Sequence, residues 1–110
     1  MNDQEKNAIS SIETALMGVK WNSEDHTSTL FFFPPSSPGS KGVMRAGDQK
    51  LVFKIPLEYE VFLKDSSPYL HIIDNKKGEV LEYRIERISK PLRTLTIIDP
   101  DGNESNFKYI

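Results

Sequence analysis

The fold of this chain is decided by residues 51 to 63, which read LVFKIPLEYEVFL. Every second residue of this stretch is apolar, and the residues between them include Lys54, Glu58 and Glu60. Successive side chains of a β-strand leave the backbone on opposite sides, so this pattern predicts a strand with one buried and one solvated face. Such strands are typical of antiparallel sheets, because parallel sheets are covered on both faces.

The same stretch is too long to serve as one flat strand in a small domain. Its thirteen residues would span roughly 43 Å at about 3.3 Å per residue. Pro56 lies inside it, and proline cannot donate a hydrogen bond to a central strand ladder. We therefore expect an edge position, a bulge, or two strands that meet at a bend.

The period of two continues from residue 19 to the end of the chain, interrupted by turn-forming residues. The predicted strands cover residues 19–23, 27–33, 42–46, 51–63, 69–74, 79–88, 92–98 and 106–109. Most connections are short enough for hairpins, and we expect the proline-serine segment 34–40 to be an exposed loop. Because sequential hairpins twist and exposed edges favour closure, the pattern predicts a mainly β fold, an antiparallel up-and-down meander that closes into a barrel of about eight strands.

The first seventeen residues have a helical pattern instead. Asn2 and Glu5 have the spacing of a capping box, and Gly18 suits a helix end because it lacks a Cβ atom. The apolar residues that would form the docking face repeat at helical intervals: Ile9, Ile12 and Leu16. A helix over residues 3–17 is too short to be stable alone, so we expect it to pack on the sheet or on a barrel mouth.

Composition restricts the chain to one domain and excludes several function classes. With 110 residues and 37% apolar content, the chain can build one core, so we predict a single domain over residues 1–110. A formal net charge of −2 argues against a nucleic-acid partner, and the lack of cysteine excludes disulfides, thiolate zinc sites and cysteine nucleophiles. The acidic N-terminal segment is neither a signal peptide nor a membrane span. We expect a soluble cytoplasmic protein, with a mature exported protein that has lost its leader as the alternative.

No motif for catalysis, metal binding or a cofactor follows from the residue pattern. His26 lies in a predicted turn and His71 on a predicted strand, and both are expected to have structural or surface roles. The sequence DPDGN at 99–103 has the 1, 3, 5 oxygen spacing of a calcium loop, but its glycine stands at position 4 and no glutamate stands at position 12, so a turn is predicted. Glu58 and Glu60 fit a solvated strand face. We therefore predict that the chain is not an enzyme and uses no metal or cofactor.

Alternating aromatic residues on the predicted strands are the candidate ligand-binding side chains: Phe31, Phe33, Phe53, Tyr59, Tyr83, Phe107 and Tyr109. Such residues could line a cavity, in which tyrosine hydroxyls would orient a ligand. The alternative is a core that these side chains fill, because eight-stranded barrels occur in both forms. A register shift of one residue would also replace Phe31 and Phe33 on the inner face with Leu30 and Phe32.

Several features of the chain occur together in a known family of β-barrels: a short N-terminal helix, Gly18 and Trp21 at the entry to the first strand, an aromatic second strand at 30–33, and closing hairpins at 83–88 and 92–97. In this order of elements the chain resembles the bacterial lipocalin-like domains of the calycin superfamily, over roughly residues 16–110. It departs from the family because two residues separate Gly18 from Trp21, where one is usual. A proline-serine loop also follows the second strand in place of the usual glycine turn.

The resemblance implies that a small apolar ligand binds inside the barrel. It also implies that Trp21 packs across the closed end beneath a cation of the last strand, a place that Lys108 occupies here. We therefore expect a non-enzymatic small-molecule binding domain of lipocalin-like type. The alternative is a protein-interaction module, such as an immunity or inhibitor-like protein, that binds a protein partner through its acidic strand face or the loop 34–40.

Overall fold

The computed structural model describes residues 2–47 and 57–109, and these ranges form one helix and a closed antiparallel barrel. Helix α1 spans Asp3–Leu16, and the strands are β1 Trp21–Ser23, β2 Thr29–Phe32, β3 Gly42–Gly47, β4 Leu57–Lys64, β5 Ser67–Asp74, β6 Glu79–Ser89, β7 Thr94–Ile98 and β8 Glu104–Lys108. Each strand pairs with the next, and β8 pairs back with β1. The predicted architecture, mainly β with eight antiparallel strands in a barrel and an N-terminal helix, is confirmed.

Helix α1 begins where the sequence places its N-terminal cap and ends one residue earlier than predicted. The side chain of Asn2 accepts a hydrogen bond from the backbone N–H of Glu5 at 2.8 Å, which satisfies one of the free amides of the first turn. The helix ends at Leu16, one residue before the predicted end, and Gly18 then adopts a φ of +79°, which favours glycine. The backbone N–H of Gly18 donates to the carbonyl of Phe32 at 3.2 Å, so this turn ties α1 to β2.

The helix covers one end of the barrel. Ile9 and Leu16 are buried and Ile12 packs against the same core, which confirms the predicted docking face. Helix α1 contacts β4 and β6, which are not neighbours in the barrel, so it crosses the end of the barrel. At the last turn the ammonium of Lys90 donates to the carbonyl of Thr14 at 3.1 Å, an interaction that the helix dipole favours.

The alternation of the stretch 51–63 continues in the structure along β4. On β4, Tyr59 and Val61 are buried in the barrel, while Glu60 and Phe62 lie on the outer face. The predicted assignment of the two faces is therefore confirmed along β4. The bend expected at Pro56 lies outside the described residues.

Strand β2 has the register that the sequence left as the alternative, with Leu30 and Phe32 on the inner face. Trp21 and Leu30 are Cα partners across β1 and β2, and such partners point to the same face of a sheet. Trp21 is fully buried, so Leu30 points into the barrel, and Phe32 follows it two residues later. Phe31 and Phe33 therefore lie on the outer face, and Phe33 is 38% exposed. Their predicted inward placement was wrong, because an unbroken apolar run does not show which of its residues face inward.

Candidate functional site

The barrel interior is filled by side chains of the described residues. Its fully buried apolar members are Leu16, Trp21, Phe32, Met44, Tyr59, Val61, Leu70 and Leu95. These residues come from the helix and from strands on every side of the ring, so they meet at its centre. Such packing favours the filled-core alternative over an open cavity.

Two of the candidate ligand-binding residues, Tyr59 and Phe107, belong to this core. The hydroxyl of Tyr59 donates to the carbonyl of Phe33 at 2.6 Å, and its ring lies edge-on against Phe32 with centroids 4.9 Å apart. Burial, with a smaller contribution from the Glu13 carboxylate, raises the pKa of Tyr59 to about 12. Tyr59 is therefore a packed residue whose hydroxyl already has a partner.

Two further candidates, Tyr83 and Tyr109, pack against the core and stay partly exposed. The ring of Tyr109 lies edge-on against Trp21 with centroids 5.0 Å apart, and its hydroxyl donates to the carbonyl of Lys90 at 2.7 Å. Tyr109 thus takes the place next to Trp21 that the resemblance gave to Lys108. That implication was wrong, because Lys108 is exposed on the outer face of β8.

The remaining candidates lie elsewhere in the chain. Phe31 and Phe33 contact each other on the outer face of β2 with ring centroids 5.0 Å apart, and the guanidinium of Arg45 lies 5.8 Å from the Phe33 ring. Phe53 lies outside the described residues. The candidates that the structure does describe are therefore distributed over the core, its partly exposed margin and the outer surface.

A wide groove runs along the outer side of the junction between β1 and β8. It has a volume of about 780 Å³, and its lining consists of Lys20, Asn22, Ser23, Glu24, His26, Lys108 and Tyr109. A second depression of about 400 Å³ shares Lys20, Asn22 and Tyr109 with the first and extends to Gly18 and Val19. We call the two together the seam groove, because they follow the junction that closes the barrel.

Strand pairing brings the polar side chains of the seam groove together. Asn22 of β1 and Lys108 of β8 are Cα partners, and Lys20 stands two residues before Asn22, on the same side of an extended chain. Trp21 and Phe107 alternate with these residues and point into the core. Closure of the barrel therefore places two ammonium groups and one amide on the same outer surface.

The seam groove carries more positive than negative side chains. Neither Lys20 nor Lys108 forms an ion pair within residues 2–47 and 57–109. One carboxylate, that of Glu24, stands in the lining. The hydroxyl of Thr29 donates to the side-chain oxygen of Asn22 at 3.0 Å, which holds the amide in place. Two ammonium groups next to an amide held in one orientation make the surface of the groove favourable for an anion.

The turn that borders the seam groove is held by hydrogen bonds to Asp25. Its carboxylate accepts from the hydroxyl of Ser23 at 2.6 Å, and from the hydroxyl and backbone N–H of Thr27 at 2.7 Å and 3.1 Å. These bonds, that of Ser23 first, lower the pKa of Asp25 to about 2. His26 follows with a φ of +60° and lines the groove. The turn therefore presents one hydrogen-bonded conformation to the groove.

The other polar candidates lie in a turn and on the sheet surface. Asp99 accepts hydrogen bonds from the backbone N–H groups of Asp101 and Asn103, each at 2.9 Å, so 99–103 forms the predicted turn. His71 lies on the outer face of β5 between two carboxylates. Within the described ranges, no group of three or more His, Cys, Asp or Glu residues is arranged to hold a metal ion. In the same ranges, no helix has the length and apolar character needed to cross a membrane.

The sequence did not predict the seam groove, although the alternation of polar and buried residues places its side chains on outer strand faces. Lys20 and Asn22 flank the buried Trp21, and Lys108 follows the buried Phe107, so alternation alone places the polar residues on outer faces. The two strands lie near opposite ends of the chain, and only the closed barrel makes them neighbours. Local periodicity contains no information about that pairing.

Comparisons with protein-family models, with curated proteins and with solved structures found no match for this chain. The architecture itself, an eight-stranded antiparallel barrel that begins with a helix, is compatible with a lipocalin-like fold.

Proposed function

We propose that this chain is a non-enzymatic binding domain of lipocalin-like type that holds a small anionic ligand in the seam groove. The observation that carries the proposal is the pair of lysines, Lys20 and Lys108, which flank the groove without an ion-pair partner in the described ranges. The groove volume of about 780 Å³ lies within the range of roughly 300 to 1,000 Å³ that is usual for ligand sites.

The lining suits a carboxylate or sulfonate joined to an apolar body. The ammonium groups of Lys20 and Lys108 supply donors for the anionic group. The amide of Asn22 adds one N–H, because its nitrogen also donates to the Lys20 carbonyl at 3.4 Å. The partly exposed ring of Tyr109 offers an apolar surface at the same groove. Its hydroxyl is engaged by the Lys90 carbonyl, so the ring stays in a fixed position.

The groove supports binding better than catalysis. Among the described residues its lining carries two hydroxyls, and both already donate to partners, that of Ser23 to Asp25 and that of Tyr109 to the Lys90 carbonyl. The Asp25 carboxylate has a pKa of about 2, so it is a weak base at neutral pH and does not activate the Ser23 hydroxyl. We therefore retain the proposal that the chain is not an enzyme.

An apolar ligand inside the barrel is the competing proposal. Its support is the closed eight-stranded barrel and the incomplete burial of inward residues such as Leu57, Leu63 and Tyr83. The filled centre around Tyr59 weighs against it, because a ligand there would have to displace packed side chains.

Fluorescence titration with anilinonaphthalene sulfonate, an anion with an aromatic body, tests the seam groove. We expect saturable binding to the native protein that weakens as salt is raised. Lys20→Ala and Lys108→Ala should each weaken it by about fivefold, the equivalent of about 1 kcal/mol for one lost charged contact.

Lys77→Ala is the matched control, because Lys77 is an exposed lysine in the turn between β5 and β6. It should leave probe binding unchanged. Saturable binding that responds to neither seam-groove substitution would contradict the proposal and would favour the barrel interior. Unchanged melting temperatures would show that all three variants remain folded.

A further inference from the structure

A second surface with a defined chemistry lies on the outer face of β4, β5 and β6, on the opposite side of the ring from the seam groove. The strand register arranges its side chains in rows. One row is Glu60, His71 and Glu82, and the next is Phe62, Tyr69 and Arg84. We call these two rows, together with Lys64, the aromatic-acid face.

The first row places an imidazole between two carboxylates. The Nδ1 atom of His71 lies 3.1 Å from Glu60, and the Nε2 atom lies 3.0 Å from Glu82. A neutral imidazole donates to one of them only, whereas an imidazolium donates to both. The hydrogen bond with His71 lowers the pKa of Glu82, and the charge of Lys64 adds to this effect. The row therefore presents two oriented carboxylates to solvent, with Glu60 30% and Glu82 37% exposed.

The second row supplies flat aromatic surface next to these carboxylates. The rings of Phe62 and Tyr69 stack with centroids 5.6 Å apart and planes 23° apart. The imidazole of His71 tilts against Phe62 at 4.4 Å. All three side chains are partly exposed. Aromatic rings beside carboxylates form a surface that suits a cation, and a guanidinium above all.

The chain already places two of its own cations on this surface. The guanidinium of Arg84 is paired with the neighbouring carboxylate of Glu86, whereas the Lys64 ammonium has no partner that close in the part of the chain that the structure describes. The ammonium of Lys64 lies 5.5 Å from the centroid of the Tyr69 ring and 3.9 Å from Glu82. A separation of 3.9 Å is too long for a hydrogen bond, and the Lys64 side chain is 57% exposed. This cation is therefore held loosely, at a position that a better-fitting cation can take over.

We propose that the aromatic-acid face binds an arginine-containing segment of a protein partner, whose guanidinium displaces the Lys64 ammonium and pairs with Glu82 while stacking on Tyr69. A guanidinium can make two parallel hydrogen bonds to a carboxylate and can lie flat on an aromatic ring, neither of which an ammonium can do. The partner is thus defined by charge complementarity and by the planar geometry of arginine.

The test is a titration of the isotope-labelled full chain with hexa-arginine peptide, followed by amide chemical shifts. We expect saturable shifts concentrated at residues 60–64, 69–71 and 82–84. Hexa-lysine should bind about threefold more weakly, because it cannot stack or bind in a bidentate manner. Shifts spread equally over the acidic turn 99–104 would mean unspecific attraction and would overturn the proposal, as would equal binding of the two peptides.

Two variants separate recognition from sheet stability. Lys64→Ala removes the competing ammonium and should tighten hexa-arginine binding by about threefold, whereas Glu82→Gln keeps the shape of the side chain and should weaken it by at least that factor. Glu104→Gln, which changes an exposed carboxylate on β8, is the matched control and should have no effect. If Lys64→Ala weakens binding or leaves it unchanged, the displacement step is refuted.

Discussion

At the scale of single residues, Gly42 packs closely against the ring of Tyr59. A Cβ atom built on Gly42 would lie 2.7 Å from the Cε1 atom of the Tyr59 ring, a distance at which something must move. The ring cannot retreat easily, because its hydroxyl donates to the Phe33 carbonyl and the ring lies edge-on against Phe32. Glycine at this position is therefore required by close contact between strands.

Gly42→Ala should lower the free energy of unfolding by about 1 to 3 kcal/mol, the usual cost of overpacking a core. Urea denaturation measures this change. Val43→Ala is the matched control, because Val43 is the next residue on β3 and is 45% exposed. If both substitutions cost the same, the close contact with Tyr59 is not the cause.

Substitutions of Tyr59 distinguish a filled core from a ligand cavity. Tyr59→Phe removes one hydrogen bond and should cost about 0.5 to 1.5 kcal/mol of stability. Tyr59→Ala should cost about 3 to 5 kcal/mol, because it leaves a cavity in a packed region. A small loss for Tyr59→Ala, combined with tighter binding of an apolar probe, would instead support a ligand inside the barrel.

Glu13 links stability to pH. Its side chain is buried on α1, and its carboxylate accepts a hydrogen bond from the backbone N–H of Gly39 at 3.3 Å. Burial raises the pKa of Glu13, and the hydrogen bond from Gly39 opposes this only in part. An acid whose pKa is raised by folding binds its proton more tightly in the native state, so stability falls as pH rises above the ordinary value of 4.5.

Glu13→Gln should therefore be more stable than the parent chain at pH 7. The difference should shrink as the pH is lowered below 4.5, because both side chains are then neutral. Thermal unfolding of the two proteins across this pH range measures the effect. A variant that is less stable than the parent at pH 7 would show that the charged carboxylate is the favoured form.

At the scale of elements, local patterns predicted α1 and β4 because both carry complete periodic signals. Asn2 with Glu5 fixed the start of the helix, and alternation fixed the faces of β4. The faces of β2 could not be predicted, since four apolar residues in succession have no period and only the pairing of Leu30 with Trp21 decides them. The seam groove could not be predicted for the same reason: it depends on strand pairing, and β1 and β8 meet only after the barrel closes.

The docking of α1 can be tested with Leu16 and with Trp21 as a reporter. Leu16 is fully buried, and its carbonyl accepts a hydrogen bond from the Trp21 indole at 2.8 Å. Leu16→Ala should cost about 2 to 5 kcal/mol, while Ser11→Ala on the exposed side of α1 should stay within about 0.5 kcal/mol. Native tryptophan fluorescence should be blue-shifted in the parent chain, and a red-shifted native spectrum would mean that the helix does not cover Trp21.

The loop 34–40 is mostly exposed, as the sequence predicts, but hydrogen bonds hold part of it in place. Gly39 donates its backbone N–H to Glu13, and the backbone N–H of Ser37 donates to the hydroxyl of Ser40 at 3.1 Å. Amide exchange should therefore be fast at Ser36 and slower at Gly39. Equal and strong protection at both positions would mean that the whole loop is packed as a structural lid.

At the scale of the whole molecule, the seam groove and the aromatic-acid face lie on opposite sides of one closed barrel. Sites that share no side chains should respond to mutation independently, with effects that add to within about 0.5 kcal/mol. A double variant of Lys108→Ala and Glu82→Gln should therefore lose probe binding and hexa-arginine binding by the same factors as the single variants. Titrations of both probes on all three proteins check this, and a coupled response would indicate that the barrel transmits a change across its core.

The pairing of β1 with β8 also has a consequence for the order in which the molecule forms. Every other strand pair joins neighbours in sequence, whereas this one joins Asn22 to Lys108 across most of the chain. Long-range closure has the highest entropic cost and is expected late on the folding pathway. The seam groove does not exist until that step, so an anion that binds it recognises only completed molecules and should slow unfolding without speeding folding.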